Sequence, residues 1–154
     1  MTPSATLVAF LLDQYRYAVY LSVAQRVVRA VEITPLPRAP NIVLGVINVQ
    51  GEIVPVVNVR RRFDLPEREI EPNDQLLLAR ASRRLVALAA DAVIGVIECP
   101  PSSVIVSERV LPGLEYVEGV VKLEDGLVLI HDLDKFLSLE EEGQLDSALS
   151  EPSP

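Results

Sequence analysis

The sequence predicts a mainly β protein: two packed five-stranded barrels of SH3-like or OB-like type, with short helical turns and a C-terminal helix. Three observations predict it. Residues 45–63, GVINVQGEIVPVVNVRRRF, form a hairpin pattern of unusual composition. The pattern recurs later in the chain. The core must be almost wholly aliphatic, because 49% of the 154 residues are hydrophobic while only 5% are aromatic and Trp is absent.

The hairpin comes first. Val46–Val49 and Ile53–Val57 are rich in β-branched residues, which pack well on a pleated surface. Gln50-Gly51-Glu52 breaks the run, and Gly51 accepts a positive φ at little cost. In the second strand Ile53, Pro55, Val57 and Val59 share one face, and Val54 and Val56 the other. A strand with one face in water alternates apolar with polar residues. This one is apolar on both faces, so burial on both is expected. Pro55 cannot donate to a ladder, which predicts an edge position or a bulge.

The repeat comes next. Residues 119–137, GVVKLEDGLVLIHDLDKFL, align without a gap under 45–63. Gly45 falls on Gly119, Val46 on Val120, Ile53 on Leu127, Val54 on Val128, Val56 on Ile130, Asn58 on Asp132 and Val59 on Leu133. Upstream, VVRAVE at 27–32 aligns with VIGVIE at 93–98, and RYAVYL at 16–21 with RLVALA at 84–89. This predicts two similar halves, 5–66 and 74–138, within a single domain spanning 1–154. The expected strands are 6–12, 16–21, 27–32, 45–49 and 53–59, then 75–80, 84–89, 92–98, 117–122 and 127–131. A barrel of about 60 residues has a marginal core alone. Two packed face to face remove that weakness, each central strand filling its own barrel with one face and the barrel–barrel contact with the other.

The connecting segments follow. DLPEREIEPND at 64–74 reads as a loop, and CPPSSVIVSERVLPG at 99–113 as a longer one whose Val104, Ile105, Val106 and Leu111 belong on the body. Asn58 and Asp132 are good N-caps, so a helical turn is expected after each of the two strands they follow. Ser138-Leu139-Glu140-Glu141 fits a capping box that starts a helix over 139–149, with Leu145, Ala148 and Leu149 on one side. Gly143 weakens that helix by about 1 kcal/mol. The closing SEPSP is expected to fray.

Composition excludes several function classes. The net charge is −8, from 14 basic and 22 acidic residues, and phosphate binding needs an electropositive face. Nucleic acid is therefore not an expected partner. Cys99 is the only cysteine, so there is no intrachain disulfide and no cysteine-based metal cluster. The N-terminus lacks a basic n-region, and no apolar run approaches the roughly 18 residues of a membrane span, so a cytoplasmic protein without direct membrane insertion is expected. A mean hydropathy of +0.30 is high for a protein of this size, so either burial is very efficient or some apolar surface is meant for partners. His131 is the single histidine. It reads as structural, because general acid–base and triad chemistry need an orienting partner. Cys99 reads as a small buried thiol. Ser102-Ser103 has no nucleophile elbow around it, and no phosphate-binding glycine loop is present. No catalytic residue, cofactor or metal site is expected, and the chain is read as not an enzyme.

The charge runs have bland readings beside functional ones. Arg60-Arg61-Arg62 on one helical turn point in three directions. Ion pairs to Glu67, Glu69 or Glu71 would be worth about 0–1 kcal/mol each. The other reading makes Arg60 an anchor beside an apolar groove, since interface hot spots are enriched in arginine. Both stay open for Arg60, and Arg62 is read as solvated. Glu140-Glu141-Glu142 reads as a solvated helix start.

The segment ITPLPRAPNIVLGVINVQGEIVPVVNVRRRF, residues 33–63, resembles the CheW family of chemotaxis coupling proteins. The resemblance runs from about residue 6 to 150. Its most specific part is the T-P-x-P-x-A-P run, then G-V-I-N, G-x-x-x-P-V and an arginine-rich exit. It implies two five-stranded barrels on a shared aliphatic core, and a non-enzymatic adaptor that links a CheA-type histidine kinase to the cytoplasmic tips of methyl-accepting receptors in membrane-associated arrays. The family turn is usually Asn-Leu-Arg-Gly and here is Asn48-Val49-Gln50-Gly51. The usual Asp-Leu-Arg exit is Asn58-Val59-Arg60, and Arg26 stands where many members have Glu. Gly45 and Pro55 match. The partner-binding residues so implied are Gly45, Asn48, Gln50, Gly51, Arg60 and Arg26. The departures bear on which receptors and kinase are served. A ligand- or oligonucleotide-binding β-barrel, or an adaptor for surface motility or pili, are the alternative readings.

Overall fold

The computed structural model describes residues 5–29, 33–81, 83–100, 104–106, 117–123, 126–135 and 137–150. Eleven strands lie within them: β1 Ala5–Leu12, β2 Tyr15–Tyr20, β3 Ala24–Arg29, β4 Val43–Val49, β5 Glu52–Val57, β6 Gln75–Arg80, β7 Leu85–Ala90, β8 Ala92–Cys99, β9 Val104–Val106, β10 Val117–Leu123 and β11 Gly126–His131. The helices are α1 Val59–Arg62, a 3-10 turn Leu133–Lys135 and α2 Leu139–Ser150. The mainly β architecture is as the sequence predicts. The third strand lies three residues earlier than expected. The frayed tail, Ser102-Ser103 and Leu111 fall outside the described residues, and of the Val104-Ile105-Val106 segment only the backbone is described.

The two sheets do not follow the two halves. One runs β3-β6-β7-β5-β4 and the other β8-β1-β2-β11-β10-β9. The first takes β3, β4 and β5 from one half and β6 and β7 from the other. The second takes β8, β9, β10 and β11 from the second half and β1 and β2 from the first, so it has six strands rather than five, because part of the expected 99–113 loop pairs with β10 as β9. The expected division into sub-barrels 5–66 and 74–138 is therefore corrected: the two halves exchange their leading hairpins. The registers show that the repeat is real. Leu77 pairs with Leu88 as Val8 pairs with Val19, a separation of 69 residues in both strands. The bulge at Ala24/Arg26 opposite β6 matches the irregularity between Val93 and Gly95 opposite β1, again 69 apart. Over the last two strands the separation is 74, as Gly45↔Val56 matches Gly119↔Ile130. The sequence alignment of the two hairpins was correct, while the upstream alignments slip by one and three residues. Those strands hold few side chains other than Val, Ala, Leu and Arg, which leaves the register underdetermined.

Parallel pairing joins the exchanged pieces. Val56 lies beside Ala87 in one sheet, and Ile130 beside Ala18 in the other. Three apolar clusters result. Ile47, Val54, Val56, Leu76, Leu78, Leu85, Ala87 and Ala89 fill the first barrel. Leu7, Ala9, Ala18, Cys99, Val121, Val128 and Ile130 fill the second. Val8, Phe10, Val19, Val57, Leu77 and Leu88, with others from both sheets, form the shared core. The centre of β5 is thus buried on both faces, as expected. Ile53 is the exception at 51% exposure, because it starts the strand before the neighbouring strand begins to cover it. Pro55 is neither at an edge nor in a bulge: β5 lies between β7 and β4, and Pro55 sits opposite Val46. It is tolerated because the bridges to β7 involve Val56 and Val57, just past it.

The caps form as their residue types dictate. The Asn58 side chain accepts from the Arg61 amide at 3.1 Å, and Asp132 accepts from the Asp134 amide at 3.2 Å. Ser138 and Glu141 make the reciprocal capping box at 2.9 and 3.1 Å. The glutamates of α2 are not a solvated run, however. Glu141 pairs with Arg62 at 2.7 Å, and the buried Glu142 with Arg84 at 3.0 Å. Arg62 is correspondingly covered rather than solvated, its side chain 12% exposed.

Candidate partner-binding surface

The β4–β5 hairpin places three of the predicted site residues together. Val49 pairs with Glu52, leaving Gln50-Gly51 as a two-residue loop. Both have positive φ, 51° and 90°, as a type I′ turn requires. The Asn48 carboxamide oxygen accepts from the Gly51 amide at 2.8 Å and locks the loop. Asn48, Gln50 and Gly51 are all exposed. The turn thus offers a neutral amide on a rigid stem. Glu52 beside it approaches Arg80 at 4.0 Å, which sets the β6–β7 turn at the same end of the barrel.

Gly45 sits on the same strand but is buried, and it serves the fold. Thr34 bridges Val46 with hydrogen bonds of 2.9 and 2.8 Å, closing the barrel across β4. A Cβ on Gly45 would fall 2.4 Å from the Thr34 carbonyl oxygen, so only glycine admits that approach.

Arg60 is not an exposed anchor. Its side chain is 8% exposed and commits its guanidinium to Asp13 at 2.9 Å, Asp91 at 2.8 Å and the Pro66 carbonyl at 2.9 Å. Asp13 lies in the β1–β2 turn and donates its own amide to Asp91 at 2.7 Å. Arg68 extends the network from Asp91 to Asp74. Hydrogen bonding to Asp13 holds the Arg60 guanidinium above its ordinary pKa, against the opposing effect of burial. Burial would raise the Asp91 carboxyl, but the bonds from Arg60, the Asp13 amide and Arg68 hold it below its usual range. This network ties the end of β5 to two turns, one of which carries the chain from the first sheet to the second. Arg61 fits the ion-pair reading, meeting Glu67 at 2.7 Å in the open.

Arg26 is exposed on β3, at the opposite end of the strand order from β4, and pairs with Leu78 of β6. The sequence reading missed several surface features. Ile53 and Leu127 occupy equivalent repeat positions and are 51% and 56% exposed. Val27 and Val96, equivalent on β3 and β8, are exposed as well, with Ile94 beside the latter. An open cleft of about 500 Å³ runs past Leu127 between Tyr15, Arg16 and Leu129. Another of about 400 Å³ is lined by Tyr20, Val23, Arg80, Asp132 and Asp134. The hydropathy surplus left such surface open as one of two readings and gave no location, because exposure is set by which strands cover which.

His131 lies in the shared core, 2% exposed. Its ring sits 5.2 Å from Phe10 edge-on, 5.0 Å from Tyr17 and 4.7 Å from Phe63. Burial lowers its pKa to about 3, so it is neutral at pH 7. Burial likewise raises the Cys99 thiol. Among the described residues no cluster of His, Cys, Asp and Glu is placed to hold a metal ion. Among them, too, no helix is long and apolar enough to cross a membrane.

These features match known proteins. The CheW-like domain family profile matches residues 6–141. The chemotaxis protein CheW of Treponema pallidum is 28% identical over 141 residues, covering 88% of this chain and 83% of that protein. The CheW of Thermotoga maritima is 26% identical, covering 84% and 85%. FrzA of Myxococcus xanthus is 32% identical over 79 residues, covering 51% of this chain and 49% of FrzA. The crystal structure of the scaffolding protein TtCheW from Thermoanaerobacter tengcongensis superposes with a TM-score of 0.82 at 26% identity, over 91% of this chain and 96% of that one. With its two sheets, its shared aliphatic core and its glycine-tipped β4–β5 hairpin, the chain belongs to the CheW-like family.

Proposed function

We propose that this chain is a non-enzymatic coupling adaptor of a chemosensory array, linking methyl-accepting receptors to a CheA-type histidine kinase. The observation that carries the reading is the family match over residues 6–141. The geometry supports it: a locked, exposed turn at Asn48–Gly51 stands on a barrel whose interior is filled by side chains. Ile53 and Leu127 add half-exposed apolar side chains at the corresponding place on each barrel. The turn at Gln50-Gly51 is the receptor contact in this reading, with Asn48 holding its shape. Gly45 and Arg60 contribute by shaping the scaffold, and Arg26 offers an exposed cation on β3.

The test is reconstitution of the chain with its cognate kinase and a receptor cytoplasmic fragment. The chain should co-sediment with both and raise kinase activity only when the receptor fragment is present. Binding to neither protein would reject the adaptor reading.

A further inference from the structure

We propose that α2 is an ion-pair latch, a C-terminal helix that opens as a unit while both barrels stay folded. By itself α2 is not a stable helix. It has 12 residues, a glycine at position 143 and no basic residue in its last turn. Isolated helices of that length are marginal in water. Helix formation and docking are therefore one event. Its apolar hold is narrow: Leu145 and Ala148 are buried and Leu149 is partly covered.

The rest of the attachment is charge. Glu141 meets Arg62 at 2.7 Å, and Glu142 meets Arg84 at 3.0 Å and Arg83 at 3.7 Å. Asp146 also bonds Arg84. The arginines come from two separate connections, Arg62 from the end of α1 and Arg84 from the β6–β7 turn. Salt screens the half-exposed Asp146 pair most, and the covered Glu141 and Glu142 pairs much less. Closed, the latch pins the β6–β7 turn, whose Arg80 reaches Glu52 beside Gln50-Gly51. Open, it uncovers Arg62 and Arg84 and frees that turn. The link to the Gln50 turn rests on the adaptor reading; the opening of α2 does not.

Native-state hydrogen exchange on the full chain, alone in solution, tests the latch. Amides of residues 143–150 should exchange at least about tenfold faster than those of Leu76–Leu78 and Leu88, as a sub-global opening requires. Raising salt from about 20 mM to about 1 M should speed the α2 amides severalfold and leave the barrel amides unchanged. Arg84→Gln should reproduce the acceleration at low salt and remove most of the salt effect. Asp146→Asn, at an exposed position, should do so more weakly and serves if Arg84→Gln lowers global stability. Equal exchange rates in α2 and the barrels at both salts would overturn the latch, as would both variants exchanging like the parent. The link to the turn is read separately, as the coupling of Arg84→Gln in the reconstituted array. Faster α2 exchange with unchanged coupling would overturn that link and leave the adaptor reading intact.

Discussion

Arg60 holds Asp91 at 2.8 Å, an arginine of α1 gripping the turn between β7 and β8. That turn is one of the two places where the chain passes between the sheets, the β2–β3 connection being the other. The pair therefore fastens the two barrels.

Arg60→Ala should destabilise the protein by about 2–3 kcal/mol, since it strands Asp91 and Asp13 without their main donor. Arg60→Lys should recover only part, because an ammonium cannot reach both carboxylates and a carbonyl in a fixed plane. Chemical denaturation of the three proteins measures this. Wild-type stability in Arg60→Ala would show that the network contributes nothing.

Val54 and Ile130 are fully buried, one in each barrel. Val54→Asp or Ile130→Asp should unfold the protein, since an unpaired buried carboxylate costs several kcal/mol, comparable with the whole stability of a domain. Because each sheet borrows a hairpin from the other half, either substitution should abolish both barrels together. Circular dichroism and hydrogen exchange would report one barrel surviving if the barrels were independent.

His131 makes stability depend on pH. Its folded pKa of about 3 lies below the ordinary histidine value of 6.5, so the unfolded chain binds the proton more readily. The contribution is complete above pH 6.5 and is lost as the pH falls from there toward 3. Between pH 7 and 5 the folding free energy should drop by about 2 kcal/mol, at 1.36 kcal/mol per pH unit below the unfolded pKa. Asp91 and Glu141, both held below the usual carboxylate range, add to the loss only in more acidic solution. Urea titrations at the two pH values check this, and His131→Phe should flatten the dependence.

Gln50 offers two donors and one acceptor where the family usually carries a fixed cation. Gln50→Glu should weaken receptor coupling while leaving the fold and kinase binding intact. Gln50→Arg should fold normally and raise affinity for receptors of the usual type. Kinase activation and the salt dependence of receptor binding measure both. No change in either variant would remove the turn from the receptor contact.

Much of this protein was legible in its sequence because the signals are local. The presence and order of the strands, the Gln50-Gly51 turn, the Asn58 and Asp132 caps and the Ser138–Glu141 box each depend on residues within a few positions of one another. The repeat was legible too, best where Gly45 and Gly119 mark it. The exchange of leading hairpins was not, because β1 matches the strand in its own sheet and its counterpart β6 equally well in composition. The fates of single side chains were not legible either. Ile53 is exposed and Arg60 buried, although hydrophobicity alone orders them the other way. Local propensity and periodicity by themselves determined which segments become strands, turns and helices. Tertiary packing alone decided which hairpin completes which barrel, and with it which apolar side chains face water and which arginine lies within reach of two carboxylates 78 positions apart.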